Sequence, residues 1–190
     1  MTAISVRPGR LRDVAEEIEQ STGLRVQIIG GTLVISPTPR GKHAGTVKRL
    51  SRQLDAKLPA GLGAYEVSSI NMPDNAEDYA TPDLVVLPSD WEDDDNWLAD
   101  PHDVELAVEV ISTSERVSLI TAKTSWYAIA GVPVLLAVDP RKGTWTLRTH
   151  PSDGEYQGVL HGKYGEAVPL PSPLPAELDT SGLPLYTPRS

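Results

Sequence analysis

"DVELAVEVIS", residues 103–112, decides the fold. Leu106, Ala107, Val108, Val110 and Ile111 make it apolar on both faces, the pattern of a strand covered from both sides. "LVVLP", 84–88, and "VPVLLAVDP", 132–140, share that pattern. Between them lies "SERVSLITAKTSWYAIAG", 114–131, which reads as a helix with Ser114 as N-cap and Gly131 as its stop. Residues 144–150, "TWTLRTH", pair with the preceding run after the "DPRKG" turn. Toward the N-terminus, 10–20 and 42–58 read as helices, the second with Val47, Leu50, Leu54 and Leu58 on one face. "LRVQIIGGTLVIS", 24–36, is a hairpin turning on Gly30 and Gly31, and "AYEVSSINM", 64–72, is one further strand. From Val168 the chain is rich in Pro and Leu and is expected to lie extended over the body. These elements predict a single α/β (α+β) domain over 1–190. Residues 1–40 form an N-terminal helix and hairpin, 41–150 the core and 168–190 the tail.

Composition narrows the function. The 190 residues hold no cysteine, so neither a disulfide framework nor a thiolate metal site exists. No apolar leader opens the chain and no stretch is long enough to span a membrane, so a soluble, cytoplasmic protein is expected. Net charge is -9, which taken alone argues against nucleic acid. The charge is uneven, however. Residues 89–103 hold seven acids and no Lys or Arg, whereas 40–58 hold six basic residues against Asp55 alone. Either segment can be a plain solvated surface.

Three polar residues occupy apolar positions. Asp83 opens the 84–88 strand after Pro82, Glu109 sits inside the 103–112 strand, and Lys123 shares a helix face with Ile120 and Tyr127. Singly, Asp83 can be a strand-end turn carboxylate and Lys123 a lysine reaching back to solvent. A buried Glu costs several kcal/mol unless paired, roughly, and nothing in strand geometry calls for it. Together they suggest a site. Two carboxylates suit a hard divalent cation such as Mg²⁺, which activates water and stabilises charge on a phosphoryl oxygen, while a lysine orients the water or screens the phosphate. His43, His102, His150 and His161 show no ligand spacing.

The set "TPDLVV…VELAVEVIS…K…Y…AGVP…VDP", with "IIGGTLVISPTPRGKH" before it, resembles the Uma-type restriction endonucleases of the PD-(D/E)XK nuclease superfamily, from about Gln27 to the tail. The resemblance implies a restriction-endonuclease-like mixed sheet flanked by helices. It also implies a Mg²⁺- or Mn²⁺-dependent endonuclease acting on DNA. Asp83 would be the PD aspartate and Glu109 the next acid, both holding metal, with Lys123 the lysine moved from strand to helix. A strict E-x-K would place lysine at position 111, where Ile111 stands. His43 opens the second helix as in the family. Relatives usually carry Glu where Gln27 stands, and many carry Asp where Leu119 stands.

Three hypotheses follow. In the first, the chain is such a nuclease, with Lys42, Lys48, Arg49 and Arg52 approaching nucleic acid and a homodimer as its assembly. In the second, it is a non-catalytic descendant that binds or assembles, which Gln27, Leu119 and the acidity favour. The third, a two-carboxylate glycosidase, is disfavoured by an inward lysine.

Overall fold

The computed structural model describes residues 10–187. The reading of the chain's first nine residues as free of an apolar leader lies outside them. In chain order the elements are α1 (Leu11–Thr22), β1 (Arg25–Ile29), β2 (Thr32–Ser36), α2 (Gly41–Lys57), β3 (Leu62–Tyr65), β4 (Ser69–Met72), β5 (Asn75–Ala80), β6 (Leu84–Pro88), β7 (Leu98–Ala99), β8 (Leu106–Val110), α3 (Val117–Ala130), β9 (Val134–Asp139), β10 (Thr144–Ser152), β11 (Glu155–Lys163), β12 (Val168–Pro169) and β13 (Glu177–Leu178).

Six strands form the main sheet in the order β11-β10-β9-β8-β6-β3. β8 and β9 are parallel, joined through α3, and the other neighbours are antiparallel, so the sheet is mixed as expected. The apolar continuity of its central strands has the anticipated cause. Leu84, Val86, Leu106, Val108, Val110, Leu136 and Val138 point to one face, under Val47, Leu50 and Leu54 of α2. Val85, Leu87, Ala107 and Leu135 point to the other, under Trp126 and Tyr127 of α3 and Ile29, Ile70 and Ala80 of a second sheet. That second sheet runs β2-β1-β5-β4-β7. The tail covers the α2 face: Val168, Leu170, Leu174, Leu178 and Leu183 are buried there.

The hairpin turns on Gly30 and Gly31, at φ 57° and 72°, a conformation that only glycine adopts without strain. Asp78 pins the turn by accepting from both glycine N–H groups, at 2.7 and 3.0 Å.

Some expectations need correction. Residues 64–72 are not one strand. Val67 takes a left-handed φ of 61°, and the chain turns a corner there, leaving β3 in the main sheet and β4 in the second. α3 begins at Val117 rather than near Ser114; Arg116 is its N-cap and makes no side-chain cap hydrogen bond. Gly131 does end it, at φ 84°. β5 and β11 were not expected, because both are polar or half exposed along much of their length. No helix of the described residues is long and apolar enough to cross a membrane.

Candidate active site

The register of the sheet builds the site. β6 and β8 are antiparallel neighbours with Leu84 opposite Val108. One residue further along the same register, Asp83 stands opposite Glu109. Side chains alternate along a strand, so both project to the α3 face. The backbone N–H of Val110 donates to Asp83 Oδ2 at 2.8 Å and locks that carboxylate to the neighbouring strand.

Helix α3 covers the pair. Lys123 and Tyr127 are one turn apart and so share a face. Lys123 Nζ donates to Glu109 Oε2 and Tyr127 Oη donates to Glu109 Oε1, each at 2.6 Å. The largely covered glutamate, with 13% of its side chain exposed, thus has a partner on each carboxylate oxygen. Lys123 is 8% exposed, so it does not reach back to solvent. Asp83 has its own partners: His43 Nε2 at 3.0 Å and Arg25 at 3.6 Å, both on Oδ1. His43 sits in the first turn of α2, and the Tyr186 hydroxyl lies 3.3 Å from its Nδ1. One imidazole thus links the Asp83 carboxylate at Nε2 to the Tyr186 hydroxyl at Nδ1.

Electrostatics separate the two acids. Burial pushes the Asp83 carboxyl up, but the His43 hydrogen bond and charge, the Val110 N–H and Lys123 outweigh it and hold Asp83 below the usual range. Burial pushes Glu109 up; Lys123 pulls it back and the Asp83 charge pushes it up again, leaving it above the usual range. Lys123 loses to burial but gains more from Glu109 and Glu115, so its ammonium is held charged. Burial, then Asp83, Asp139 and Glu115, pushes the Tyr186 phenol to about 12, so it stays a donor at neutral pH.

The three side chains line a cleft of about 850 Å³. Its walls are the loop from Pro37 to Lys42, the loop from Ser112 to Arg116, and Tyr186 and Thr187 of the tail. Arg141 clamps the second loop, bonding Asp139 twice at 2.8 Å and the Glu115 carbonyl at 2.9 Å.

The other expected residues divide. Gln27 is 1% exposed and its Oε1 accepts from Thr81 N at 3.1 Å, anchoring the segment that delivers Asp83. Leu119 lines the cleft. Ile111 does not line it; it is buried, with its N–H on the Val138 carbonyl. Lys48, Arg49 and Arg52 are exposed but do not line the cleft, because α2 packs on the opposite face of the main sheet and turns them outward. Lys42 does line it, with Nζ held by the Leu185 carbonyl at 2.7 Å and Thr187 Oγ1 at 2.6 Å. The remaining cations of the cleft are Arg25, Arg40 and Arg116. Arg40 and Arg116 sit at the N-caps of α2 and α3, in loops that carry no periodic signal. Tyr127 could have been found by its spacing from Lys123; Tyr186, 143 residues from His43 in sequence, left no local signal.

The mixed sheet thus brings an Asp at a strand mouth, a Glu on the next strand and a helix Lys into one cleft. The chain belongs to the Uma2 family, described as "Putative restriction endonuclease", which it matches over residues 13–185. Its fold is similar to that of a crystal structure titled as a putative nuclease belonging to DUF820 from Anabaena variabilis. The TM-score is 0.65 at 16% identity, over 85% of this chain and 90% of that one. No curated protein matches the chain.

Proposed function

We propose that the chain is a Mg²⁺- or Mn²⁺-dependent endonuclease that hydrolyses DNA phosphodiester bonds in this cleft. The carrying observation is the opposition of Asp83 and Glu109 on adjacent strands with Lys123 Nζ 2.6 Å from Glu109. The donor set fits such a cation. It offers carboxylate oxygens only, and Mg²⁺ takes one or two carboxylates and fills its shell with water and substrate phosphate. Among the described residues no group of three or more His, Cys, Asp or Glu could hold a metal, so these two would be the whole anionic contribution. The upward push of Asp83 on Glu109 is the repulsion that a cation would relieve. When bound, the metal supplies Lewis acidity toward water and phosphoryl oxygen.

The chain's own groups do the rest. The Lys123 ammonium opposes the upward push of burial on Glu109 and offers its remaining N–H donors to a phosphoryl oxygen as charge develops there. His43, Arg25 and the Val110 N–H fix the Asp83 carboxylate in one orientation. Arg40 and Arg116 at the cleft offer guanidinium forks to flanking phosphates. An oxygen of water adds to phosphorus, the bond from phosphorus to one ester oxygen breaks, and that oxygen leaves with a proton.

A second reading, a binding or assembly module without useful turnover, is favoured by one observation. All four oxygens of the two carboxylates already have protein donors, and Gln27 and Leu119 add no acid. Thermal melting separates the metal claim from the fold. Millimolar Mg²⁺ or Mn²⁺ raises the melting temperature by binding only the folded state, and Asp83→Ala abolishes the rise. A melting temperature unmoved by either ion supports the module.

A further inference from the structure

The main sheet ends on β11, whose outer edge has no partner strand among the described residues. Such edges are usually short, or blunted by proline or charge, because their free N–H and C=O groups recruit other strands. β11 runs nine residues, Glu155–Lys163, without a proline. Its formal charges sit only at its two ends, and between them Val159 and Leu160 are 51% and 46% exposed.

We propose that β11 pairs antiparallel with β11 of a second copy of this chain, about a two-fold axis at Val159. Antiparallel pairing that keeps both faces of a continuous sheet opposes only residues of the same parity, because side chains alternate. Centred on Val159, the register opposes all nine residues, although the Lys163 N–H is already held by Glu166 Oε2 at 2.7 Å, so the end pairs rest on side chains. Glu155 then faces the partner's Lys163, and the symmetry repeats the pair at the other end. Neither side chain makes an ion pair among the described residues. Gln157 faces the partner's His161, and Val159 faces itself. At the even positions Leu160 faces the partner's Gly158 and Tyr156 faces the partner's Gly162, but Thr149 and Trp145 of the same chain already cover those glycines and Tyr156 is held inside its own chain by the Val132 carbonyl, so these pairs add no fit. Gly162 is already required within the chain, since a Cβ there would collide with the Trp145 ring. A register centred one or two residues away loses the Glu–Lys opposition and leaves strand ends unpaired. The charge opposition at the two strand ends therefore selects a second copy, in one register.

The register makes a test that a general surface contact would fail. Sedimentation velocity on the wild-type chain shows a dimer. Lys163→Glu alone opposes two glutamates at each end and weakens the dimer by about tenfold at low salt. Glu155→Lys alone does the same with lysines. Glu155→Lys with Lys163→Glu restores wild-type affinity, because the swap recreates both pairs in reverse. Melting temperatures within about 2 °C of wild type, on the scale expected of surface changes, show that the variants fold. Should a charge variant fail to fold, the cysteine-free chain allows a second measurement. Opposed residues of an antiparallel pair lie roughly 4.5–5.5 Å apart at Cα, within disulfide reach. Val159→Cys therefore gives a covalent dimer on mild oxidation, and Gln157→Cys, whose counterpart is displaced along the strand, does not. A wild-type monomer at every concentration, a double variant as weak as the single ones, or equal crosslinking of Val159→Cys and Gln157→Cys would overturn the proposal.

Discussion

Replacing Lys123 with Met removes the charge that faces Glu109 while keeping most of the side-chain length. Glu109 is then a buried carboxylate whose remaining donor is Tyr127. Breaking a buried pair by removing one partner costs on the order of 3–5 kcal/mol. Glu109 has an escape, which sets a ceiling: it can take up a proton. From an ordinary carboxyl value of 4.5, holding it neutral at pH 7 costs about 3 kcal/mol, and at pH 5 about 1 kcal/mol. The sign follows from the direction of the shift. Burial already raises Glu109 in the folded state, and loss of Lys123 raises it further. A raised carboxyl stabilises the fold below its unfolded value and loses that contribution as pH climbs through its folded value. Lys123→Met is therefore expected to be destabilised by at most about 3 kcal/mol at pH 7 and at most about 1 kcal/mol at pH 5, part of that cost being already present in the raised wild-type Glu109. Urea unfolding followed by tryptophan fluorescence at the two pH values measures both. A loss equal at pH 5 and pH 7, or below about 0.5 kcal/mol at pH 7, would show that Glu109 does not depend on Lys123 for its charge.

Asp83 has the opposite sign. Its folded value is lowered, so its contribution is present above the ordinary value of 3.8 and is lost as pH falls below it; Asp83→Asn should flatten the acid limb of stability below about pH 4, seen in acid titration by circular dichroism. Gln27→Ala strands the buried Thr81 N–H and should cost about 1–3 kcal/mol, whereas Gln27→Glu keeps an acceptor and should cost less; chemical denaturation compares them. If Arg40 and Arg116 meet phosphates, reversing both should weaken DNA binding and lower the slope of log affinity against log salt by about two. Reversing Lys48 and Arg49, which face away from the cleft, should leave that slope nearly unchanged in a fluorescence anisotropy titration.

The sheet was legible because its central strands are apolar on both faces, and only a doubly covered sheet asks for that. Asp83, Glu109 and Lys123 were legible for the converse reason: each breaks an apolar pattern that its neighbours keep. What the sequence hid was either half exposed or distant. β5 and β11 carry polar residues along an edge or a rim, so alternation is diluted. The corner at Val67 lies inside a run that reads as continuous strand, because a single left-handed residue leaves no mark on periodicity. Arg25, Arg40 and Arg116 reach the cleft from strand and loop positions whose direction tertiary packing sets. Lys48, Arg49 and Arg52 misled because they cluster on α2, and a helix stripe says which face is buried but not which face of the sheet it is buried against.

The central claim is that Asp83, Glu109 and Lys123 act as one metal-dependent unit on a phosphodiester. Groups that act as a unit are non-additive: losing one costs about as much as losing two. The direct measurement is the single-turnover cleavage rate of plasmid DNA in Mn²⁺, for wild type, for Asp83→Ala, for Lys123→Ala and for the double variant, each repeated with chelator. The account predicts cleavage by wild type that chelator abolishes, a loss of at least about 10²-fold in each single variant, and little further loss in the double. Cleavage that survives chelator, or single losses that multiply in the double variant, would contradict it.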